Sequence, residues 1–402
     1  MSFQQGLSGL NASSKNLDVI GNNVANSNTA GFKQGVAAFG DVFAASFSGG
    51  GGTQIGIGTQ VTGVGQQFNQ GNITVTNNPL DVAINGKGFF RMSNNGAIDY
   101  TRSGQFQLDK NGYIIDSEGE NLTGFQAVNG TIQTGVLGNL QLSSADLLPQ
   151  ATVNAGVGAN LSSADPILPT AGFVATNPLT YNFSTATSLY DTLGQSHAMT
   201  LYFNKTAANT WDANVYIDGA AANGAGVTTL TFNGSGTFIG ATNPVKTAVL
   251  ANGAANLSIT MDFSKSTQFG SAFGVNSLSQ DGYASGQLAG YSIGADGVIL
   301  GRYTNGQSNT LGQIALANFT NPQGLKPLGG TKWGESADSG VPLIGAPGTA
   351  SLGALQAAAL EDSNVDLTAE LVNMITAQRA YQANAQSIKT QDSVLQTLVN
   401  LK

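Results

Sequence analysis

The chain is expected to be a multidomain α+β protein, with N- and C-terminal α-helices paired as a coiled-coil-like core domain and two mainly-β domains inserted in series between them. Three observations carry that expectation. Apolar residues recur at helical spacing at both ends, Gly-rich segments with period-two alternation fill the middle, and two like hairpins flank a long interval.

The first stripe runs through Phe3, Leu7, Leu10, Ser14, Leu17, Gly21 and Val24, with Ile20 just off it. This four-three spacing is a heptad seam, which makes one helix seek another. It predicts a helix over about residues 2–26, ended by Asn22, Asn23, Asn26 and Asn28 and then by Gly31. Residues 32–47 are apolar but irregular, either an extended connector or a short helix, and the glycines of 48–52 mark a loop.

From Ile55 the period becomes two. Residues 73–75 and 81–84 read as strands, followed by the Asn85-Gly86 turn and the pair Phe89-Phe90. Phe106 and Leu108 turn through 109–112 into Tyr113 and Ile115. Far downstream, Asp296-Gly297 separates Tyr291 and Ile293 from Val298 and Leu300. Two such hairpins predict a discontinuous inner β-domain, 71–143 with 286–357, into which an outer β-domain, 144–285, is inserted. Inside the insert, Met199, Leu201 and Phe203 lie on one face and Trp211, Ala213, Val215 and Ile217 on another, joined by a loop over 204–210. With 227–239 and 257–263 they read as a sandwich or barrel.

Asp366 is a good N-cap for a terminal helix, and Glu370 complements the dipole of its first turn. The second seam follows as Leu371, Met374, Gln378, Tyr381, Ala385, Ile388, Asp392, Leu395 and Val399, with Val372, Ile375, Leu398 and Leu401 off it. Residues 1–70 and 358–402 thus form the terminal helical core domain with its connector. Two helices leave much of each apolar surface uncovered, so contacts both within and between copies are expected.

Composition points the same way. Charged residues are 9% of the chain, against roughly 25% in an average soluble protein, and glycine is about twice its usual share. A surface of Asn, Gln, Ser and Thr suits packing against further copies, because few charges need desolvating. The net charge of −8, with no basic run, argues against nucleic acid. With no cysteine, disulfides, thiolate catalysis and Cys-based metal sites are excluded. No run is long and apolar enough for a membrane helix, and residues 1–14 do not read as a secretory signal peptide.

No convergent catalytic or metal-binding cluster stands out, and no cofactor is expected. His197, the single histidine, has Asp191 and Ser196 nearby, yet reads as a turn histidine beside a strand. Asp116, Glu118 and Glu120 alternate without the spacing of a calcium loop and read as solvated turn charges. Gly86-Lys87-Gly88 and Gly56-Ile57-Gly58 lack the rest of a phosphate or dinucleotide loop and read as turns.

Several segments carry a family resemblance. Ser8–Asn11, Leu17–Asn26 with Asn22, Asn23 and Asn26, and the following Thr29-Ala30-Gly31-Phe32-Lys33 resemble the N-terminal signature of the axial proteins of the bacterial flagellum. Residues 361–385, with Asn364, Asp366 and Arg379, look like the terminal helix of the hook members of that family. Residues 80–84, 88–90, 103–106, 122–124, 190–197 and 311–319 are also similar, so the likeness covers nearly the whole chain. It implies a structural subunit that polymerises with itself into a short curved tube, coupling motor rod to filament and transmitting torque as a universal joint. The implied partners are a distal rod protein, a hook cap, a hook-filament junction protein and the flagellar export apparatus. The implied place is outside the cell, reached without a cleaved signal peptide. A rod or hook-associated subunit is the nearest alternative. A secreted β-rich adhesin oligomerised by its terminal helices is the alternative of a different class.

Overall fold

The computed structural model describes residues 2–42, 56–143, 145–224 and 226–400, with side chains at 2, 223, 224 and 398–400 outside that description. The predicted loop at 48–52 and the side chains of Phe43, Leu398, Val399 and Leu401 therefore lie outside it. The fold is mostly β, with one helix at each end and several sheets. Contacts divide it into two compact units: Met1–Ser143 with Gly290–Gly301 and Ser308–Lys402, and Ser144–Ala289 with Arg302–Gln307.

In the first unit, α1 spans Ser2–Ala25 and stops in a turn-rich Asn/Ser stretch. Gly31 then takes φ +71°, and a Cβ there would lie 2.5 Å from the Ser103 amide nitrogen. Both the left-handed conformation and the close approach demand glycine. The chain continues into β1 (Gly35–Val42), which pairs antiparallel with β2 (Gly58–Gln66). Residues 35–42 are thus a strand rather than a helix, and Gly58 opens a strand rather than a turn. Val36 and Ala38 alternate with Gly35 and Ala37 on a pleat, but a register shift between Ala38 and Phe39 breaks the alternation, which concealed the strand in the sequence.

The β-body of this unit is an antiparallel sheet in which Ser308–Ile314, Asn121–Val128, Phe89–Asn94, Ala97–Thr101, Lys332–Gly334 and Lys326–Gly329 are successive neighbours. Val82–Asn85 pairs with Ala354–Ala357, and Ile73–Val75 with Ala359–Glu361, so the strand leading to the last helix is stitched to the N-terminal half. Val82, Ile84, Phe90, Met92, Leu122, Ile314 and Leu316 fill the core. A second cluster packs Phe89, Tyr100, Phe319 and Trp333 edge to face, with ring centroids 4.8–6.0 Å apart. The closing helix, α2, spans Leu367–Asn400. Asp366 caps it by accepting hydrogen bonds from the Thr368 and Ala369 amides at 2.9 and 3.1 Å.

The second unit is a sandwich. One sheet orders Phe183–Tyr190, Ser196–Ala207, Thr210–Ile217, Thr228–Phe232 and Phe238–Thr242; the other orders Asn223–Gly224, Val245–Ala248, Leu257–Asp262, Asn154–Asn160 and Gly274–Gln280. The predicted loop at 204–210 is instead a tight turn, because Asn209 accepts φ +61° and the strands run on to Ala207 and Thr210. That register places Met199 opposite Ile217, Leu201 opposite Val215 and Phe203 opposite Ala213. The two apolar sets therefore share one inward face, where they meet Val157, Leu257, Ile259 and Met261 of the facing sheet. Antiparallel partners directly opposite must point the same way, which two separately read strands could not reveal.

Candidate assembly interface

α1 and α2 lie antiparallel, and small residues let them approach. A Cβ on Gly6 would fall 2.9 Å from Ile388 Cγ1, and one on Gly9 would fall 2.8 Å from Asn384 Nδ2. Gly6, Ala12, Ile20 and Asn23 are the buried positions of α1; Glu370 and Ala377 are those of α2, with Met374, Asn384 and Ile388 half-buried. The face of α1 that meets α2 is thus rotated from the predicted seam. Leu10, Leu17 and Val24 are half-buried, Gly21 has open space around it, and Phe3 and Leu7 are exposed.

On α2, Leu371, Val372 and Ile375 form an apolar patch over the second and third turns, 45–59% exposed. Leu371 and Ile375 are one turn apart and stack on one side. Tyr381 is exposed too, as is Leu395, which lies beyond Ile388, the residue opposite Gly6. The sequence signal for the inward face was present in Gly6, Gly9 and Ala12, a run of small residues three apart, but larger apolar residues dominate any periodicity. A groove of about 410 Å³ remains between the helices and β1, lined by Val19, Ile20, Phe39, Asn373 and Ala377 among others.

The asparagines of the N-terminal segment act as backbone clamps. Asn23 donates to the Gly35 carbonyl and accepts from the Gly35 amide, both at 2.8 Å, pinning β1 to the end of α1. Asn26 donates to the Asn22 carbonyl at 3.0 Å and accepts from the Thr29 hydroxyl. Asn364 accepts from the Gln34 amide at 2.8 Å and donates to the Gln67 and Asn69 carbonyls. Glu370 is buried and takes the Gln34 side-chain amide at 2.5 Å, a tertiary role beyond the dipole. Asn22 and Arg379 are exposed and Phe32 is half-buried.

The same junction holds Glu361, which the sequence did not single out. Its carboxylate accepts from Lys33 Nζ at 2.6 Å, Arg102 at 3.0 Å and the Gly71 amide at 2.9 Å. Burial pulls the Lys33 ammonium below the ordinary lysine value, against the attraction of Glu361.

Of the three predicted solvated turn charges, Glu118 is an exposed turn residue, but Asp116 and Glu120 are not solvated. Lys332 Nζ lies 2.8 Å from each of the three, and Asp116 and Glu120 are buried. Burial works against the ammonium, but hydrogen bonds to Asp116, Glu118 and Glu120 outweigh it and raise its pKa above the ordinary lysine value. The point where the carboxylates converge is thus filled by the protein's own cation. His197 is the second residue of a strand rather than a turn residue, and both ring nitrogens face carboxylates. Among the described residues no group of three His, Asp or Glu side chains is arranged to hold a metal, and no helix is long and apolar enough to cross a membrane.

Asn364 and Glu361 thus join the two chain ends within the first unit. Four family descriptions match in chain order: the flagella basal body rod protein over residues 3–33, the flagellar hook protein FlgE/F/G D1 domain over 83–156, the flagellar basal body protein FlaE D2 domain over 160–283, and the flagellar basal body rod FlgEFG protein C-terminal over 356–401. The flagellar hook proteins FlgE of Escherichia coli and Salmonella typhimurium are 43% and 42% identical, each aligned over 100% of both chains. That of Rhizobium meliloti is 34% identical over 100% of this chain and 98% of its own. The crystal structure of the Helicobacter pylori flagellar hook protein FlgE2 shares the fold, with TM-score 0.53 and 16% identity over 70% of this chain and 99% of that one. The chain belongs to the flagellar hook protein FlgE family. Full-length relatives named as hook proteins decide against the rod and adhesin alternatives. These relatives are structural proteins rather than enzymes.

Proposed function

We propose that the chain polymerises into the hook tube through both faces of its helix pair. The inward face closes a coiled-coil-like core within one subunit; the outward patch of Leu371, Val372 and Ile375, with Phe3 and Leu7 of α1, packs on neighbouring copies. The exposed patch carries this reading, since it leaves large apolar side chains in water on a helix already partnered elsewhere. Burying each such side chain fully contributes roughly 1.5–3 kcal/mol, and repetition through a polymer multiplies that. Residues 1–70 and 358–402 act as the core, and 71–143 with 286–357, and 144–285, as two β-domains carried on it.

Torque transmission then follows from unequal contacts. Apolar knobs leave their holes only by losing burial, so the core resists shear. Contacts between uncharged polar surfaces exchange for water at small net cost and can slide. By family resemblance the tube joins a distal rod protein to a hook-filament junction protein, grows beneath a cap, and receives subunits through the export apparatus without a cleaved leader.

Replacing Leu371 by Asp tests the proposal. The monomer should keep its circular dichroism and melting, because the side chain is exposed, while electron microscopy should show no tubes. Normal tubes from Leu371→Asp would overturn it.

A further inference from the structure

His197 is the single histidine of the chain, and it is held on both sides. Nδ1 lies 2.5 Å from Asp218 Oδ2 and Nε2 lies 3.2 Å from Asp191 Oδ2. A neutral imidazole carries one N–H and can satisfy one carboxylate. Two ionised carboxylates on opposite nitrogens require the imidazolium.

Both partners are built to stay ionised. Asp191 is fully buried, yet its Oδ1 accepts from the Leu193 and Gln195 amides at 2.9 and 2.8 Å, and its Oδ2 accepts from the Asn252 side chain at 2.5 Å. Asp218 accepts from the Ala198 amide at 2.9 Å and has a half-exposed side chain. Asp218 itself turns the chain at φ +50°, directly before Gly219. No lysine or arginine pairs with any of the three among the described residues, and the loop that supplies Asn252 brings no charge to them. Opposed placement of the carboxylates also prevents them from ligating one metal ion together with the ring. Ser196 gains no base, since both ring nitrogens are taken by carboxylates.

We propose that this trio is a proton-operated clasp in the second unit. Protonated His197 ties the 191–195 turn to the 218–219 turn, and Asn252 extends the tie to the facing sheet. When the ring loses its proton, the remaining N–H stays with buried Asp191, and the Nδ1 lone pair then opposes the Asp218 carboxylate. Asp218, which can reach water, is released, and its turn loosens.

The sign follows from the hydrogen bonds. Burial lowers the His197 pKa, but the bonds to Asp218 and Asp191 outweigh it and raise it overall. The clasp is therefore complete below the ordinary histidine value of about 6.5 and is lost as pH rises through the higher folded value.

Because His197 stands alone, isotope-labelled histidine in the full-length chain gives one set of ring signals. The expected titration midpoint is above about 6.5, with both nitrogens protonated below it, and the amides of 218–220 lose protection above it, measured against the intrinsic base-catalysed exchange rate at each pH. Asp218→Asn should lower the midpoint by about one pH unit, a tenfold change in acidity. His197→Gln should abolish that pH-dependent change in protection. A midpoint at or below the ordinary value, an unchanged midpoint in Asp218→Asn, or a pH-dependent protection that survives in His197→Gln would overturn the clasp.

Discussion

Lys33 and Glu361 are 328 residues apart in sequence and 2.6 Å apart in the fold, both with fully buried side chains. Arg102 reaches the same carboxylate, and the Gly31 amide donates to the Glu361 carbonyl at 2.8 Å. Where α1 ends, where the last strand ends and where the β-body turns are thus tied at one residue. Removing one partner from such a group leaves buried charge uncompensated, which costs about 3–5 kcal/mol. Glu361→Gln should lower unfolding stability by that amount, read from the shift in denaturant midpoint. Loss under about 1 kcal/mol would show that water or relaxation replaces the pairing.

Lys332 supports a second prediction with a pH signature. In Lys332→Met, Asp116 and Glu120 would face each other buried, with Glu118 beside them and no cation. Destabilisation of about 3–5 kcal/mol is expected at pH 7. Crowded carboxylates in the folded variant have raised pKa values, so the missing stability returns as pH falls and they take up protons. Thermal melts at pH 5 and pH 7 check this: the gap between variant and parent should narrow at pH 5.

These two centres also mark what the sequence could and could not disclose. Asp366 and the uninterrupted helix behind it were legible because a cap and a helical period are local signals. The Asp296-Gly297 turn was legible for the same reason, whereas Asn85-Gly86 is a bend between strands that pair elsewhere. Lys332 was hidden from the acidic cluster because it lies 214 residues from Glu118, and nothing local distinguishes a paired carboxylate from a solvated one. The orientation of α1 was hidden differently. A heptad of large residues marks the face that most needs burial, whereas close helix contact selects the smallest residues. In this chain those faces differ, and Phe3 and Leu7 of the larger one are left exposed.

That difference predicts opposite outcomes for two glycines on one helix. A Cβ on Gly6 would collide with Ile388, while one on Gly21 meets nothing within 4 Å. Gly21→Ala should stabilise α1 by roughly 0.5–1 kcal/mol, the usual gain from replacing a helical glycine. Gly6→Val should instead destabilise by about 1–3 kcal/mol through overpacking. Circular dichroism melts and limited proteolysis of the helix pair would separate them. The reverse order would mean that the predicted seam, not the small-residue face, meets α2.

The two tryptophans allow the two units to be followed separately, since Trp211 is buried in the second and Trp333 in the first. Phe203 touches only the second unit's core, where its ring centroid lies 6.4 Å from that of Phe263. Phe203→Ala opens a cavity there at a cost of about 3–5 kcal/mol. In a Trp333→Phe background the fluorescence of Trp211 should then report unfolding at clearly lower denaturant than in the parent. In a Trp211→Phe background Trp333, whose indole N–H donates to Gln66 at 2.5 Å, should report an unchanged midpoint. Separate behaviour follows if each core is satisfied by its own residues, as the membership of the clusters indicates. Equal shifts at both tryptophans would instead make the chain one cooperative block.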